Sequence, residues 1–233
     1  MATLLISGTD TGVGKTVVTS ALAAYLTRYC SHRRFAVLKP IQSGTGDREH
    51  YVQHFNLSQS LEQINPLYFE TPIAPPLAAD VEGRSVDLGV AWRTFEALQR
   101  DYDDVLVEGV GGLGTPITHE LTVADLARDW QLPTVLVVPV RLGAIGQAIA
   151  QVALARQSRV PLRGLVISCT QPDASEYLEQ WASIPLLESF TRCPVLGVMP
   201  YGKEDSDLSI LAQMAAQWDI PQLLPSLTSG NLS

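Results

Sequence analysis

The start of the chain combines an apolar run, a glycine-rich turn and a helical pattern. Residues 4–7 are strand-like, residues 8–14 contain three glycines, and the turn ends in Lys15 and Thr16. In this arrangement backbone N–H groups and the helix N-terminus bind phosphates, the lysine reaches the β- and γ-phosphates, and the threonine hydroxyl ligates Mg²⁺. The segment therefore predicts a strand, a phosphate-binding loop and a helix, an order typical of α/β folds.

The spacing of the glycines departs from the general pattern of such loops. That pattern places a glycine five residues before Gly14, where this chain has Thr9, whereas Gly8 stands one position earlier. The strand-like run before the turn and the helical pattern after it still favour phosphate binding.

Length, charge and cysteine content limit the class of protein. A chain of 233 residues with 46% hydrophobic and 17% charged residues predicts one soluble domain, residues 1–233. The net charge of −8 argues against a general nucleic-acid or anionic-membrane surface, so an anionic ligand needs local donors. Cys30, Cys169 and Cys193 lack metal-type spacing, and neither a targeting signal nor a membrane span is recognisable. We therefore expect a cytoplasmic protein.

Strand and helix patterns alternate along the chain. Strands that are apolar throughout predict burial on both faces, hence a mostly parallel sheet of six or seven strands with helices on both sides. Residues 41–47 are predicted as a polar loop, residues 65–79 as an ordered proline-rich loop, and residues from about 224 to 233 as a polar tail. The predicted strands are residues 3–7, 35–39, 105–107, 134–138, 165–167 and 195–198, and the predicted helices are residues 15–29, 47–64, 87–100, 122–130, 144–158, 174–190 and 206–217.

Ligands in such folds bind beyond the carboxyl ends of the strands, so the residues that follow each strand are candidates. Three of them have alternative interpretations that stay open: Lys39 as a solvated lysine, Glu108 as a helix cap or the partner of a backbone amide, and Asp47 as an N-cap. An acid directly after an apolar strand in a nucleotide-binding fold favours Mg²⁺ binding. Cys169 is interpreted as a buried apolar residue rather than a nucleophile.

Several motifs together resemble one family. Residues 8–16 resemble the signature of the dethiobiotin synthetases, including the displaced first glycine. The segment from Lys39 to Gly44 resembles the family's substrate-lysine motif, and residues 107–112 resemble its acidic strand end for Mg²⁺. The prolines of residues 65–79 resemble its substrate-side loop, and the motifs follow the family order over nearly the whole chain.

The resemblance implies a three-layer P-loop NTPase-like fold, a homodimer and an enzyme of biotin biosynthesis. CO₂ adds to one amine of 7,8-diaminopelargonate to give a carbamate, ATP phosphorylates the carbamate, and the second amine closes the ureido ring of dethiobiotin with release of phosphate. The substrate is itself the nucleophile, so no covalent enzyme nucleophile is implied.

The resemblance also implies roles for individual residues. Lys15 is expected to follow the transferred phosphoryl group and Lys39 to hold the carbamate oxygens, with Thr11 and Ser43 orienting them. The expected Mg²⁺ ligands are Thr16, Asp47 and Glu108; the expected nucleotide contacts are Gly12, Val13, Gly14, Lys15, Thr16, Val17, Asp47, Glu108, Gly109, Val110, Gly111, Ser168, Cys169, Pro200, Tyr201 and Gly202; and the expected substrate contacts are Thr11, Lys39, Ser43 and Gly143.

Two positions depart from the family pattern. Gly146 and Gln147 stand where the family often has an asparagine-histidine pair for the carboxylate end of the substrate, which leaves backbone N–H groups for that contact. Ser168 and Cys169 stand where the family often has an asparagine for the adenine edge. A serine forms one hydrogen bond but not the paired bonds of a carboxamide, so we expect weaker selection of ATP.

Two other functions are compatible with such a fold. Partition- or septum-positioning ATPases usually carry an additional lysine near the position of Gly8 or Thr9, which is absent here, and bind DNA or membrane through surfaces that a net charge of −8 disfavours. A non-catalytic regulatory domain is disfavoured because both Lys39 and Glu108 are retained.

Overall fold

Strands and helices alternate through the part of the chain that the computed structural model describes, residues 2–202 and 207–227. Single 3-10 turns occupy Ala174–Tyr177 and Pro225–Leu227. The strands are β1 (Ala2–Gly8), β2 (Phe35–Leu38), β3 (Ile41–Ser43), β4 (Leu67–Phe69), β5 (Asp104–Gly112), β6 (Thr134–Pro139), β7 (Leu162–Ser168) and β8 (Val195–Met199). The helices are α1 (Lys15–Tyr29), α2 (Asp47–His54), α3 (Leu61–Ile64), α4 (Pro75–Val81), α5 (Leu88–Asp101), α6 (Val123–Asp129), α7 (Ala144–Gln157), α8 (Leu178–Trp181), α9 (Ile184–Thr191), α10 (Leu208–Ala215) and α11 (Ile220–Leu223).

Six strands form one parallel sheet in the order β2-β5-β1-β6-β7-β8, which confirms the predicted sheet. Successive residues of a strand enter opposite cores. Leu5 and Val107 pack with α4 to α7 and α9, whereas Leu4 and Leu106 pack with α1, α2, α10 and α11. Both faces are therefore covered by helices, which is why the strands are apolar without alternation.

The segment between β2 and α5 is more structured than the sequence indicates. β3 and β4 form a separate two-stranded parallel sheet where loops were predicted, because three-residue strands give too short a pattern to recognise. The proline-rich segment is ordered, but its second half is helix α4, which starts with Pro75 in its first turn. The helix predicted over residues 47–64 is two helices, and Ser60 caps the second by accepting the N–H of Gln63 at 3.3 Å.

Strand β5 is longer than predicted. The sequence pattern predicts its end at Val107, but the strand continues through the glycines to Gly112. Glu108 pairs in register with Ile6 of β1, so it is a strand residue and not a helix cap. A Cβ atom at Gly112 would lie 3.0 Å from the carbonyl oxygen of Gly8, so the glycine permits this close approach of β1 and β5.

The C-terminal part of the described chain is more buried than a polar tail. Leu224, which follows α11, is fully buried, while residues 228–233 of the predicted tail lie outside the described residues. The helix predicted from residue 206 begins at Leu208, and residue 206 is also outside the described part. None of the helices in the described residues has the length and apolarity to cross a membrane.

Candidate active site

A cavity of about 680 Å³ lies where the carboxyl ends of the sheet strands meet the loop between β1 and α1. All predicted site residues line it except Val13, Gly109 and Gly143. These residues are far apart in the sequence, and the parallel sheet brings them together at one edge. Three lining residues were not predicted: Gln42, Thr170 and Met199.

The loop that precedes α1 explains the displaced glycine. A Cβ atom at Gly8 would lie 2.6 Å from Cγ2 of Val13, so the close packing of Val13 requires glycine there. Thr9 has a negative φ and needs no glycine. The side chain of Val13 is fully buried, so only its backbone is available to a nucleotide. Gly14 has a φ of +92°, and a Cβ atom on it would lie 2.4 Å from Oγ of Ser168.

Lys15 lies at the start of α1 with its ammonium turned toward the loop. Its Nζ donates to the carbonyl oxygen of Asp10 at 3.1 Å. Burial, together with the nearby charge of Lys39, lowers the pKa of Lys15 to about 8. The carboxylate of Asp10 accepts a bond from Arg141 at 2.8 Å, and Arg141 also donates to Gln147 at 3.0 Å. The loop is thereby tied to the start of α7.

Lys39 is at the centre of a buried charged group. Its Nζ lies 2.6 Å from Oε1 of Glu108 and also contacts Oδ2 of Asp47. Oγ1 of Thr16 lies within hydrogen-bond distance of both carboxylates, 3.0 Å from Oδ1 of Asp47 and 3.2 Å from Oε1 of Glu108. Lys39 is only 3% exposed, so its interpretation as a solvated lysine is wrong. Asp47 is the first residue of α2 and the N-cap is Gly46, so the N-cap interpretation is also wrong.

Burial and neighbouring charges shift the pKa values within this group. Burial alone would lower the pKa of Lys39, but the carboxylates of Glu108 and Asp47 outweigh it and raise that pKa. Burial alone would raise the pKa of Asp47, but Lys39 and Thr16 hold it below its ordinary value. Burial, with the charge of Asp47, raises the pKa of Glu108.

The oxygens of this group have the chemistry that Mg²⁺ prefers. Two carboxylates and one hydroxyl converge beside the phosphate-binding loop, and Mg²⁺ takes hard oxygen ligands while retaining waters and substrate phosphates. Within residues 2–202 and 207–227, no three His, Cys, Asp or Glu side chains are grouped so as to hold a metal ion. The two carboxylates and the hydroxyl fit an ion that shares its coordination with the phosphates of a nucleotide.

Comparison with known proteins decides the family. A family model described as an AAA domain matches residues 2–209. The ATP-dependent dethiobiotin synthetase of Synechocystis sp. is 54% identical over 223 residues, which are 95% of this chain and 94% of that protein. The chain belongs to the dethiobiotin synthetase family. A second such synthetase, from Gloeothece citriformis, is 50% identical over 225 residues, or 97% of this chain and all of that protein.

Solved structures of more distant proteins share the fold. The MinD cell division protein of Aquifex aeolicus superposes with a TM-score of 0.57 at 13% identity and covers 100% of this chain and 99% of that one. A ParA family ATPase from Chlorobium tepidum has a TM-score of 0.55 at 11% identity, with 98% and 99% covered. At these identities the likeness shows the fold alone, and it confirms the prediction of a P-loop NTPase-like architecture.

The residues of this chain that are expected to bind the diamine do not all line the cavity. Oγ of Ser43 is buried beside the cavity and has no hydrogen-bond partner among the described residues, so it is available to a ligand. Thr11 is exposed at the rim, and its N–H donates to Asp10 at 2.7 Å. Gly143 is exposed before α7 and does not line the cavity.

Two side chains that were not predicted, Gln42 and Asn65, hold predicted site residues in place. The amide of Gln42 donates to the carbonyl oxygen of Gly44 at 2.9 Å and accepts the N–H of Arg48 at 3.0 Å, which fixes the loop that carries Asp47. Asn65 donates to the carbonyl oxygen of Lys39 at 2.7 Å. A polar residue inside the substrate-lysine motif was a signal for Gln42, whereas nothing local in the sequence indicates the partner of Asn65.

Proposed function

We propose that this chain catalyses the ATP- and Mg²⁺-dependent carboxylation and ring closure of 7,8-diaminopelargonate to dethiobiotin, with release of ADP and phosphate. The observation that carries the proposal is the buried ammonium of Lys39. It lines the cavity and contacts Glu108 and Asp47, the two carboxylates next to Thr16. This second lysine follows β2, whereas the additional lysine of the partition- and septum-positioning ATPases lies early in the phosphate-binding loop. The 54% identity to a named dethiobiotin synthetase supports the same function.

The two lysines suit an anionic reaction centre. A carbamate and the anhydride that it forms with phosphate are both anions, and donors fixed in a buried site stabilise developing charge without reorganising. Lys15 would follow the transferred phosphoryl group, and Lys39 would hold the carbamate oxygens. Ser43 and Thr11 would orient the carbamate by hydrogen bonds. Positioning of the amines against ATP supplies a further part of the rate enhancement, on the order of several kcal/mol.

Thr16, Asp47 and Glu108 would hold Mg²⁺, directly or through water. When bound, the ion neutralises charge on the β- and γ-phosphates. Asp47 and Glu108 both contact Lys39, which supports a site where the carbamate lies next to the metal-bound phosphates. Ser168 and Tyr201, which also line the cavity, would contact the base and sugar.

We further propose a cytoplasmic homodimer that binds small molecules and neither nucleic acid nor membrane. Gly143 and the start of α7 are the expected contact for the carboxylate end of the diamine, yet they lie outside the cavity of one chain. Leu142, next to Gly143, is 82% exposed, which supports a subunit contact at this position. Size-exclusion chromatography with light scattering is expected to give twice the mass of the chain, and a monomeric mass at assay concentration would contradict the dimer.

The function is tested by the substrate requirement of phosphate release. Purified protein with Mg²⁺ and ATP is expected to release phosphate only when 7,8-diaminopelargonate and bicarbonate are both present. Rapid ATP hydrolysis without the diamine would instead favour a switch ATPase of the partition or septum-positioning type, with which this chain shares its fold. Binding of ATP without any turnover would favour a regulatory domain.

Nucleotide selectivity is expected to be weaker than in relatives that carry an asparagine at the end of the strand corresponding to β7. Ser168 offers one hydroxyl there, whereas an asparagine both donates to and accepts from a base. The kcat/KM values for ATP, GTP and CTP are to be measured side by side with those of such a relative. We expect a smaller preference for ATP in this chain, and an equal preference would contradict the role given to Ser168.

A further inference from the structure

A buried tyrosine outside the predicted site contacts the metal-side carboxylate. Tyr51 lies on α2 one helical turn after Asp47 and is fully buried. Its hydroxyl donates to Oε2 of Glu108. The other oxygen, Oε1, accepts from Lys39 at 2.6 Å and from Thr16 at 3.2 Å. The two oxygens of one carboxylate therefore have separate partners.

We propose that Tyr51 is a positioning residue, whose hydroxyl holds Oε2 of Glu108 so that Oε1 is directed to Thr16, Lys39 and the Mg²⁺ of the bound nucleotide. This inference rests on the proposed function for the identity of the ion. The terminal torsion of a glutamate side chain is broad, so contacts to Oε1 alone leave the plane of the carboxylate free to turn. A donor to Oε2 removes that freedom. Groups that orient metal ligands in this way affect metal affinity strongly.

Tyr51 is itself held firmly. Its ring lies 6.4 Å from that of Phe55 and 5.6 Å from that of His50, in the core shared with α1. Nε2 of His50 is hydrogen-bonded to Oγ of Ser20 on α1 at 2.9 Å, which joins the two helices. Because α2 carries both Asp47 and Tyr51, the position of this one helix sets both carboxylates of the expected ion site.

The test is the affinity for nucleotide with and without Mg²⁺, measured by calorimetry in the absence of the diamine so that no turnover occurs. Tyr51→Phe removes only the hydroxyl and keeps the ring. We expect the affinity for Mg·ATP to fall about tenfold, the lower end of what the loss of such a supporting group costs. Binding of ATP in excess chelator is expected to stay unchanged, because Tyr51 does not line the cavity and its hydroxyl donates to Glu108.

Phe55→Leu is the matched control. Phe55 packs beside Tyr51 directly after α2 and is buried, but no polar contact joins it to Glu108. This variant is expected to lower the thermal stability while it leaves the affinity for Mg·ATP unchanged. A loss of Mg·ATP affinity in Phe55→Leu equal to that in Tyr51→Phe would mean that packing of the helix, and not the hydroxyl, is what matters.

A double-mutant cycle with Glu108→Gln separates the direct role from an indirect one. If Tyr51 acts through Glu108, Tyr51→Phe is expected to cause no further loss of Mg·ATP affinity in the Glu108→Gln protein. Tyr51→Phe that binds Mg·ATP like the unchanged protein, or that weakens ATP equally with and without Mg²⁺, would overturn the inference. Failure of the proposed function is distinguishable, because it appears as missing dethiobiotin formation by the unchanged protein, which these binding measurements do not use.

Discussion

Lys39→Ala is expected to lower the rate of dethiobiotin formation by about 10³-fold, the scale on which loss of a buried donor to a developing anion acts. We propose that this ammonium holds the carbamate; it is buried in contact with Glu108 and Asp47. Its removal leaves the binding of Mg·ATP to Thr16, Asp47 and Glu108 possible, so calorimetry is expected to show nucleotide affinity within a few-fold of normal. Mass spectrometry of the product measures the loss of rate, and calorimetry measures the nucleotide affinity that is retained.

The control for Lys39→Ala is another buried ion pair far from the cavity. Arg33 donates to both oxygens of the buried Asp104, at 2.7 and 2.8 Å. Arg33→Ala likewise leaves a buried carboxylate without its cation, which costs about 3–5 kcal/mol of stability. It is expected to lower the melting temperature but to retain the rate per folded molecule. Lys39→Gln, which keeps a donor near the carboxylates, covers the case in which Lys39→Ala does not fold. Full synthesis by either Lys39 variant would refute the role of this lysine.

Lys15→Ala is expected to lower both ATP affinity and turnover, the turnover by about 10²–10³-fold. The ammonium of Lys15 now donates to the carbonyl oxygen of Asp10 and is the group that reaches the β- and γ-phosphates in loops of this kind. Its pKa is lowered to about 8, chiefly by burial, and phosphate binds the charged form. ATP affinity of the unchanged protein is therefore expected to fall as pH rises above about 8, and Lys15→Ala is expected to lose this pH dependence.

Arg28→Ala is the matched control for Lys15→Ala. Arg28 is in the last turn of the same helix, where it is exposed and outside the cavity. Its removal takes the same charge from α1 without touching the site, so ATP affinity and its pH dependence are expected to be unchanged. A pH dependence of ATP binding that persists in Lys15→Ala would assign the titration to another group.

The sequence predicted the parallel sheet and most of the cavity because those features have local signals. Apolar runs predict buried strands, and the loop before Lys15 has a recognisable composition. The residues that hold the site in place are set by contacts between distant parts of the chain. Asn65 and Lys39 are 26 positions apart, and Tyr51 and Glu108 are 57 positions apart. No local pattern indicates such pairs.

The prediction of β5 failed for a related reason. Glycine in the interior of a strand weakens it, which is why the sequence pattern ends this strand at Val107. Here the glycines continue the strand because β1 approaches β5 closely, with Gly8 opposite Gly112. Close packing also accounts for the glycine at position 8. The sequence showed that this glycine is displaced from the general pattern, and the structure shows that the packing of Val13 requires it.

The most direct test of the proposed chemistry follows the carbon of isotopically labelled bicarbonate. With ATP, Mg²⁺ and 7,8-diaminopelargonate, we predict that label enters an acid-stable product with the mass of dethiobiotin, one labelled carbon for each phosphate released. Phosphate release without labelled product, or labelled product formed without ATP, would contradict the account of this site.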